Sequence, residues 1–330
     1  MQEKNRRENL LEVKDLVVEY TANGERIHAV NGISFTLEKG KTLGLVGETG
    51  AGKTTIAKTI LRVLPDRSAR IKGGGIIFDG EKLLEKSEKE MRSIRGKRIS
   101  MIFQNPMTSL NPVFTVGDQI AEVIKLHEKL NGEQAFEKTK RILEMVGIPA
   151  ERYSEYPHQF SGGMKQRIVI AMALACNPEL LLADEPTTAL DVTIQAQVLD
   201  MIAKLKVENN TSMILITHDL GVVAEVCDEV AVVYAGEIIE SGSKEEIFDY
   251  PSHPYTIGLF NSVPSLEATQ ERLEPIPGHA VDPTNLPDGC FFGPRCPYAT
   301  EQCKKAHPEM DEIRQQHFCR CIHPRIREVR

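Results

Sequence analysis

The sequence lacks any long run of apolar residues, and its longest one is Ile168 to Cys176. A membrane-spanning helix needs about 20 such residues, so any membrane role of the chain is expected to be peripheral. No apolar segment of signal-peptide length follows Met1 to Arg7, and we therefore expect the chain to stay in the cytosol. Clustered Lys and Arg are also missing. The formal net charge of −7 argues against nucleic acid as the main partner.

One glycine-rich segment carries a complete phosphate-binding pattern. Residues Gly47 to Thr54, G-E-T-G-A-G-K-T, fit G-x-x-x-x-G-K-[ST] and follow the apolar run Thr42 to Val46. Glycines let backbone N–H groups approach phosphate oxygens, Lys53 can reach the β- and γ-phosphates, and the Thr54 hydroxyl can bind Mg²⁺. A helix-like run, Thr55 to Leu64, follows the loop. The segment therefore predicts a nucleotide site.

A second apolar strand ends in two adjacent carboxylates. Leu180 to Ala183 is apolar throughout, as in a strand buried within a parallel sheet. Asp184 at its carboxyl end can hold the Mg²⁺ shell, and Glu185 beside it can polarise a water for attack on a γ-phosphate. Together with the glycine-rich loop, this pair predicts a nucleotide hydrolase.

Shorter motifs lie between and beyond these two. They are Gln104 in I-F-Q-N-P, the run S-G-G-M-K-Q from Ser161 to Gln166, A-L-D from Ala189 to Asp191, and His218 in L-I-T-H-D. In this order and spacing, over roughly residues 10 to 250, the sequence resembles the ATPase subunit of an ATP-binding cassette (ABC) transporter. Phe160 and Met164 depart from the commonest family wording, and this variant looks like the peptide-permease branch.

The resemblance implies a role for each matching residue. Tyr20 matches the aromatic residue that stacks on adenine, and His218 matches the histidine that contacts the γ-phosphate. Glu185 matches the general base, and Gln104 matches the glutamine that touches the metal and the attacking water. The Mg²⁺ contacts implied are Thr54, Gln104 and Asp184. The nucleotide contacts implied, besides Tyr20, are Gly47, Gly50, Gly52, Lys53, Thr54, Thr55, Ser161, Gly162, Gly163 and Asp191, of which those in Ser161 to Gln166 touch the ATP of the opposite subunit.

Hydrophobic periodicity predicts an α/β fold. Strand-like segments flank the glycine-rich loop, whereas the pattern turns helical from about Thr115 to Ala175 and returns to strands from Leu180. We expect a P-loop ABC-type nucleotide-binding domain with a mostly parallel sheet core, an antiparallel β subdomain and a helical subdomain. The predicted bounds are 1–250 for this ATPase domain, about 107–175 for its helical subdomain, and 251–330 for a small Cys/Pro-rich carboxyl-terminal extension.

Five of the seven cysteines gather in that extension, which favours a metal site over disulfides in a cytosolic chain. The spacings of Cys290, Cys296 and Cys303 are not the two-residue spacing of a zinc ribbon, so we prefer a [4Fe–4S] cluster to Zn²⁺. The tail, G-C-F-F-G-P-R-C-P with Cys303, resembles the carboxyl-terminal extension of dipeptide and oligopeptide permease ATPases. That resemblance implies Cys321 as the fourth ligand, with Cys319 as the alternative. Three histidines lie close enough in sequence to replace a thiolate: His307, His317 and His323.

The resemblance also implies the partners. We expect a second ABC ATPase subunit, identical or a paralogue, because the chain has one phosphate loop. Two transmembrane permease subunits and an extracytoplasmic solute-binding protein would complete an importer of dipeptides or oligopeptides, with this chain bound peripherally at the cytoplasmic face. Two alternatives stay open: an importer ATPase for another small solute such as nickel, and a non-transport ABC ATPase, whose usual second cassette or coiled-coil insertion this sequence lacks.

Overall fold

The computed structural model describes residues 9–187, 190–262 and 276–325, so the amino-terminal residues 1–8 and Ala189 lie outside it. It contains two compact units, which are treated separately below. The first comprises Glu38–Lys41 and Glu85–Leu215. The second comprises Asn9–Leu37, Thr42–Leu84 and the described part of Ile216–Arg330. None of the helices within the described ranges combines the length and the apolar character that crossing a membrane requires.

The strands alternate with helices along most of the chain, as the periodicity predicts. The strands are β1 (Asn9–Ala22), β2 (Glu25–Glu38), β3 (Thr42–Val46), β4 (Ala69–Phe78), β5 (Glu81–Lys82), β6 (Ile99–Ile102), β7 (Leu180–Asp184), β8 (Ser212–Thr217), β9 (Glu229–Tyr234), β10 (Glu237–Ser243), β11 (Asp311–Arg314) and β12 (His317–Cys319).

The helices fall mainly between β6 and β9. They are α1 (Lys53–Ile60), α2 (Glu88–Ile94), α3 (Pro106–Ser109), α4 (Val116–His127), α5 (Gly132–Met145), α6 (Gly162–Leu174), α7 (Val192–Asn209), α8 (Leu220–Val226), α9 (Lys244–Asp249), α10 (Pro254–Asn261) and α11 (Glu301–Lys305). Short 3-10 turns lie at Leu83–Glu85, Ala150–Ser154, Pro157–Gln159 and Gly293–Arg295.

The second unit contains an antiparallel sheet with the strand order β2-β1-β4-β5. In its central pair, Leu11 lies opposite Phe78 and Tyr20 lies opposite Ala69. One face of β1 is buried, as Leu11, Val13 and Leu16 show. This sheet corresponds to the predicted antiparallel β subdomain, and it places Tyr20 near the end of β1.

A second strand group of the same unit runs in the order β11-β12-β10-β9-β3. Its centre is the parallel pair β3 and β9, in which Leu45 lies opposite Ala231. All five residues of β3 are buried, which agrees with a strand covered on both faces. β11 and β12 come from the region that the sequence shows only as Pro- and Cys-rich, and they extend this group through β10.

The first unit combines parallel strands with the helical region. β6 and β7 pair in parallel, with Ile99 opposite Leu180, and both strands are buried throughout. α4, α5 and α6 pack on one another within residues 116–174, inside the segment expected to be helical. α6 is apolar around its circumference from Ile168 to Leu174, and most of these side chains are buried, so this helix forms the centre of the packing.

Candidate functional site

The glycine-rich loop joins β3 to α1, and two of its glycines are required by close backbone contacts. Gly47 has φ 152°, and a Cβ there would lie 2.1 Å from the carbonyl oxygen of Val233. Gly52 has φ 103°, and its Cβ would lie 2.3 Å from the carbonyl oxygen of Ala29. Gly50 is also in the left-handed region but faces open space. The loop therefore takes a path that side chains at Gly47 and Gly52 would obstruct.

Lys53 is buried at the start of α1, and its side chain returns to the loop. Its Nζ donates hydrogen bonds to the carbonyl oxygens of Gly47 (2.6 Å) and Glu48 (2.9 Å). No acidic residue occupies the first turn of α1, so the N-terminal N–H groups and the ammonium present positive charge on the same side of the loop. This arrangement suits a phosphate.

Thr54, Thr55 and Tyr20 lie beside this loop. Thr54 and Thr55 are half-buried in the first turn of α1. The hydroxyl of Tyr20 lies 3.4 Å from Oγ1 of Thr55. The structure therefore brings the predicted adenine-stacking residue next to the predicted phosphate site, although the two are separated by 35 residues in the sequence.

In the first unit, β7 places the two predicted carboxylates at its carboxyl end. Asp184 is buried, whereas Glu185 is half-buried and has φ 47°. A non-glycine residue in this left-handed region costs about 1–3 kcal/mol, and such strain is common at functional sites. Nε2 of Gln104 donates a hydrogen bond of 2.8 Å to Oε2 of Glu185. The structure thus joins the predicted glutamine to the predicted general base.

The S-G-G segment forms the start of α6, as its sequence predicts. Oγ of Ser161 accepts a hydrogen bond of 3.4 Å from the N–H of Met164 and caps the helix. A Cβ at Gly162 would face open space, and one at Gly163 would lie 2.8 Å from the Ile194 side chain. An exposed N-terminus with small residues leaves N–H groups available to an anion.

Asp191 and His218 stand at the starts of other helices. Oδ1 of Asp191 accepts a hydrogen bond of 3.0 Å from the N–H of Ile194 and caps α7. His218 is exposed after β8. The next residue, Asp219, caps α8 by accepting hydrogen bonds from Gly221 and Val222, so the backbone around His218 is fixed on both sides.

Four of the predicted cluster ligands, Cys290, Cys296, Cys303 and Cys321, line a single cavity of the second unit. The rest of the wall is mostly apolar and includes Phe292 and Tyr298, with His253 and His323 among its polar members. No disulfide links the cysteines of the described part of the chain. Four thiols spread over residues 290–321 therefore meet around one space.

Burial in this four-cysteine pocket disfavours the thiolate form of its cysteines. Burial raises the pKa of Cys290 and Cys296, and raises that of Cys321 to about 11. Backbone N–H groups donate to three of the sulfurs and oppose this shift. Phe292 and Gly293 donate to Cys290, Tyr298 donates to Cys296, and His323 donates to Cys321. Such hydrogen bonds stabilise metal-bound sulfur.

Cys319 and two of the histidines lie elsewhere. Cys319 is buried in β12, opposite Glu240, and does not line the pocket. Nε2 of His307 lies 2.9 Å from Oε1 of Glu237, and Nε2 of the buried His317 lies 2.8 Å from Oε1 of Glu240. The expectation that His307 or His317 could replace a thiolate therefore does not fit the structure. His323 does line the pocket.

The cysteines do not form a compact site for a single ion. Over residues 9–187, 190–262 and 276–325, no group of three or more His, Cys, Asp or Glu side chains is arranged to hold a metal ion. The sequence-based prediction of a metal site in this segment, whether a [4Fe–4S] cluster or Zn²⁺, is therefore not supported.

Arg295 and Glu48 form a contact that the sequence reading missed. Nη1 and Nη2 of Arg295 donate to the two carboxylate oxygens of Glu48 at 2.8 and 3.1 Å. Glu48 lies in the glycine-rich loop and Arg295 precedes Cys296, 247 residues further along the chain. A charge of each sign inside two separate motifs was the only available signal, and nothing in the sequence links the two positions.

Comparison with known proteins gives two matches to family descriptions. Residues 30–188 match the ABC transporter family. The matched stretch contains the phosphate loop and the carboxylate pair. Residues 239–303 match the family described as the oligopeptide/dipeptide transporter, C-terminal region.

Full-length relatives extend these matches. The oligopeptide transport ATP-binding protein OppD of Bacillus subtilis is 50% identical over 320 residues, which are 96% of this chain and 89% of the relative. The dipeptide transport ATP-binding protein DppD of the same organism is 49% identical over 316 residues, 95% of this chain and 94% of the relative. The chain belongs to the oligopeptide/dipeptide family of ABC transporter ATP-binding proteins. Its membership makes it an ABC ATPase.

Solved structures show the fold of this ABC ATPase in other proteins. The ATP-binding cassette MJ0796, in a dimeric post-hydrolysis state bound to ADP and Pi, is 25% identical with a TM-score of 0.64 and covers 71% of this chain and 98% of its own. CbiO1 from Clostridium perfringens is 26% identical with a TM-score of 0.62 and covers 73% and 91%. The predicted P-loop ABC-type fold is confirmed, whereas the Cys/Pro-rich extension and the domain bounds stay predictions.

Proposed function

We propose that this chain hydrolyses ATP to power the import of dipeptides or oligopeptides. The observation that carries this proposal is the similarity of about 50% over almost the whole chain to peptide-transport ATP-binding proteins. It extends into the carboxyl-terminal region, which lies beyond the general ABC match. The phosphate loop, the carboxylate pair and the Gln104–Glu185 hydrogen bond supply the chemistry that the proposal needs.

We propose the following roles in hydrolysis. Lys53 and the N–H groups at the start of α1 bind the phosphates, and Tyr20 stacks on the adenine. Thr54, Asp184 and Gln104 would hold Mg²⁺, which neutralises charge on the phosphate oxygens when bound. Glu185 accepts a proton from the attacking water, and its hydrogen bond from Gln104 fixes the orientation of the carboxylate.

The remaining predicted contacts suit a dimer. His218 would contact the γ-phosphate. Ser161, Gly162 and Gly163 would contact ATP held by a second ABC ATPase subunit, identical or a paralogue, and the exposed N-terminus of α6 is suited to that. This chain would bind peripherally at the cytoplasmic face of the membrane. Closing and reopening of the dimer would then drive alternating access in two transmembrane permease subunits. An extracytoplasmic solute-binding protein would then deliver the peptide.

The four-cysteine pocket would hold a [4Fe–4S] cluster, with Zn²⁺ as the alternative. Cys290, Cys296, Cys303 and Cys321 line the pocket, whereas Cys319 does not, and this favours Cys321 as the fourth ligand. A single zinc ion needs sulfurs that are each about 2.3 Å from it, whereas a cluster is bound at its corners. The four thiols that line one cavity are the observation that supports the cluster.

Transport by the assembled system tests the proposed function. The chain would be reconstituted in proteoliposomes with its permease subunits, its partner ATPase and the solute-binding protein, and the uptake of labelled di- and oligopeptides and of Ni²⁺ would be measured. ATP-dependent peptide uptake that disappears with Lys53→Ala and survives Lys58→Ala, also in α1, supports the proposal. Uptake of Ni²⁺ alone would assign another solute. Hydrolysis that is indifferent to permease subunits would indicate a non-transport ATPase.

A further inference from the structure

Glu48, in the phosphate loop, is held by contacts to its side chain and to both backbone polar groups. Its carboxylate accepts both guanidinium hydrogen bonds from Arg295. Its N–H donates a hydrogen bond of 2.9 Å to the hydroxyl of Tyr255, which is fully buried in α10. Its carbonyl oxygen accepts from Nζ of Lys53. The position of this loop residue is therefore set by Arg295 and Tyr255, which both lie beyond residue 250.

Arg295 is itself buried, with 9% of its surface exposed. Nε donates a hydrogen bond of 3.0 Å to the carbonyl oxygen of Pro277, and the guanidinium carbon lies 5.8 Å from the centre of the Tyr234 ring. The hydrogen bonds to Glu48 are the main cause that raises the pKa of Arg295. A bidentate pair between a buried guanidinium and a half-buried carboxylate is short and directional, and removing Glu48 leaves the buried charge of Arg295 without compensation.

The same residues border the four-cysteine pocket. Arg295 immediately precedes Cys296, a pocket residue. Phe292, in the pocket wall, packs against Tyr255 with ring centres 5.5 Å apart and against Tyr234 at 5.4 Å. The pocket and Glu48 are thus joined by the chain through Arg295 and by ring contacts through Phe292 and Tyr255. All of these residues belong to the second unit.

We propose that Arg295 is a positioning residue for the phosphate loop and that it couples the four-cysteine pocket to ATP binding. The inference rests on the proposed function, because it takes the loop as the ATP site. Holding Glu48 keeps the loop in the conformation that phosphate needs, and this lowers the ordering cost of binding. Residues 276–325, which contain the four pocket cysteines, are called the cysteine segment. Any change that loosens this segment displaces Arg295 and weakens ATP binding. By linkage, bound ATP stabilises the ordered form of the four-cysteine pocket by the same factor by which that order strengthens ATP binding.

The first test measures the affinity of the purified full-length chain for methylanthraniloyl-ATP. Arg295→Ala is expected to weaken binding about tenfold, which corresponds to about 1.4 kcal/mol. Arg295→Lys should fall between it and the wild type, because an ammonium cannot form the bidentate pair. Arg314→Ala is the matched control, since Arg314 in β11 also pairs with a carboxylate, that of Glu246 at 2.8 Å, but lies outside the four-cysteine pocket. It should change affinity less than twofold.

Equal affinity of the wild type and both Arg295 variants would overturn the positioning role. Thermal unfolding of each variant identifies any that fails to fold, and Arg295→Lys then provides the decisive comparison. A double variant that combines Arg295→Ala with Glu48→Gln distinguishes loss of the Arg295–Glu48 pair from general damage to the fold. If the pair acts as proposed, Glu48→Gln adds little to the loss that Arg295→Ala already causes.

The second test asks whether the pocket acts through Arg295. Cys303→Ser alters the pocket at a residue that is not adjacent to Arg295 in the sequence. It should weaken nucleotide binding severalfold in the wild-type background and have no further effect with Arg295→Ala. Additive effects of the two substitutions would overturn the coupling. A wild-type chain whose nucleotide binding is absent, or unaffected by Lys53→Ala, would instead refute the proposed function, so the two failures can be told apart.

Discussion

The phosphate loop and the four-cysteine pocket are two candidate sites of one unit, and they are built in opposite ways. The loop is a continuous segment whose backbone geometry, imposed by Gly47 and Gly52, creates the site. The pocket is assembled from separate segments whose side chains meet. The residues of a continuous site, and their roles, can be predicted from the local sequence. For an assembled site the sequence gives only a set of candidate residues, and the fold decides which of them meet.

The largest expected effect is on hydrolysis, and it should leave the four-cysteine pocket unchanged. Glu185→Gln removes the proposed base and keeps a similar shape, so turnover should fall at least a hundredfold, about 2.7 kcal/mol in the barrier. Nucleotide affinity and metal content should stay unchanged. Steady-state phosphate release and equilibrium nucleotide binding measure the two quantities. Glu208→Gln, at an exposed position of α7, is the control. Turnover close to that of the control would remove Glu185 as the base.

Cys303→Ser is the converse test, because it should empty the four-cysteine pocket and leave the proposed catalytic residues in place. The chain is purified without oxygen, and iron, acid-labile sulfide and zinc are measured per chain. The wild type should hold about four irons and four sulfides, and Cys303→Ser should lose most of them. Cys176→Ser, a half-buried thiol in the other unit, is the control and should retain them. One zinc per chain in the wild type would replace the cluster by the alternative, and no metal would refute both.

A third prediction sharpens the comparison inside the loop. Gly47→Ala and Gly50→Ala both place a side chain in the left-handed region, but only Gly47 meets a backbone oxygen, at 2.1 Å. We expect a loss of about 1 kcal/mol in unfolding free energy for Gly50→Ala and of about 3 kcal/mol for Gly47→Ala. Denaturant unfolding of both variants gives the difference. Equal losses would mean that the loop has room that the structure does not show.

The core strands could be predicted closely from the sequence because their signal is local. The apolar run Leu180 to Ala183 predicts β7, which the structure extends by one residue to Asp184. The short strands β11 and β12 gave no such signal, since three or four residues among prolines carry no recognisable period. Pairing through β10 stabilises them, and that contact depends on the tertiary fold.

The candidate site shows the same limit. Lys53, Asp184 and Glu185 follow from contiguous motifs, and the thiols follow from their number. The Arg295–Glu48 pair does not, because a charge gives no indication of its partner 247 residues away. The choice of Cys321 over Cys319 likewise depends on the tertiary fold, because Cys319 is buried at the end of β12 whereas Cys321 follows the strand and lines the cavity. Two cysteines separated by one residue look equivalent in the sequence.

The smallest expected effect concerns the anchoring of the cysteine segment. The pKa of His307 is raised, chiefly by its hydrogen bond to Glu237. A raised pKa means that the folded state binds the proton more tightly, so this pair stabilises the fold fully below about pH 6.5 and loses its effect as the pH rises through the folded-state value.

His307→Asn should therefore lower the melting temperature more at pH 6 than at pH 9, whereas His279→Asn, an exposed position in the same segment, should lower it equally at both. A pH-independent loss for His307→Asn would mean that the ring acts through its neutral hydrogen bonds alone. The segment's attachment to β10 would then not depend on charge, in contrast to the attachment of the phosphate loop to Arg295.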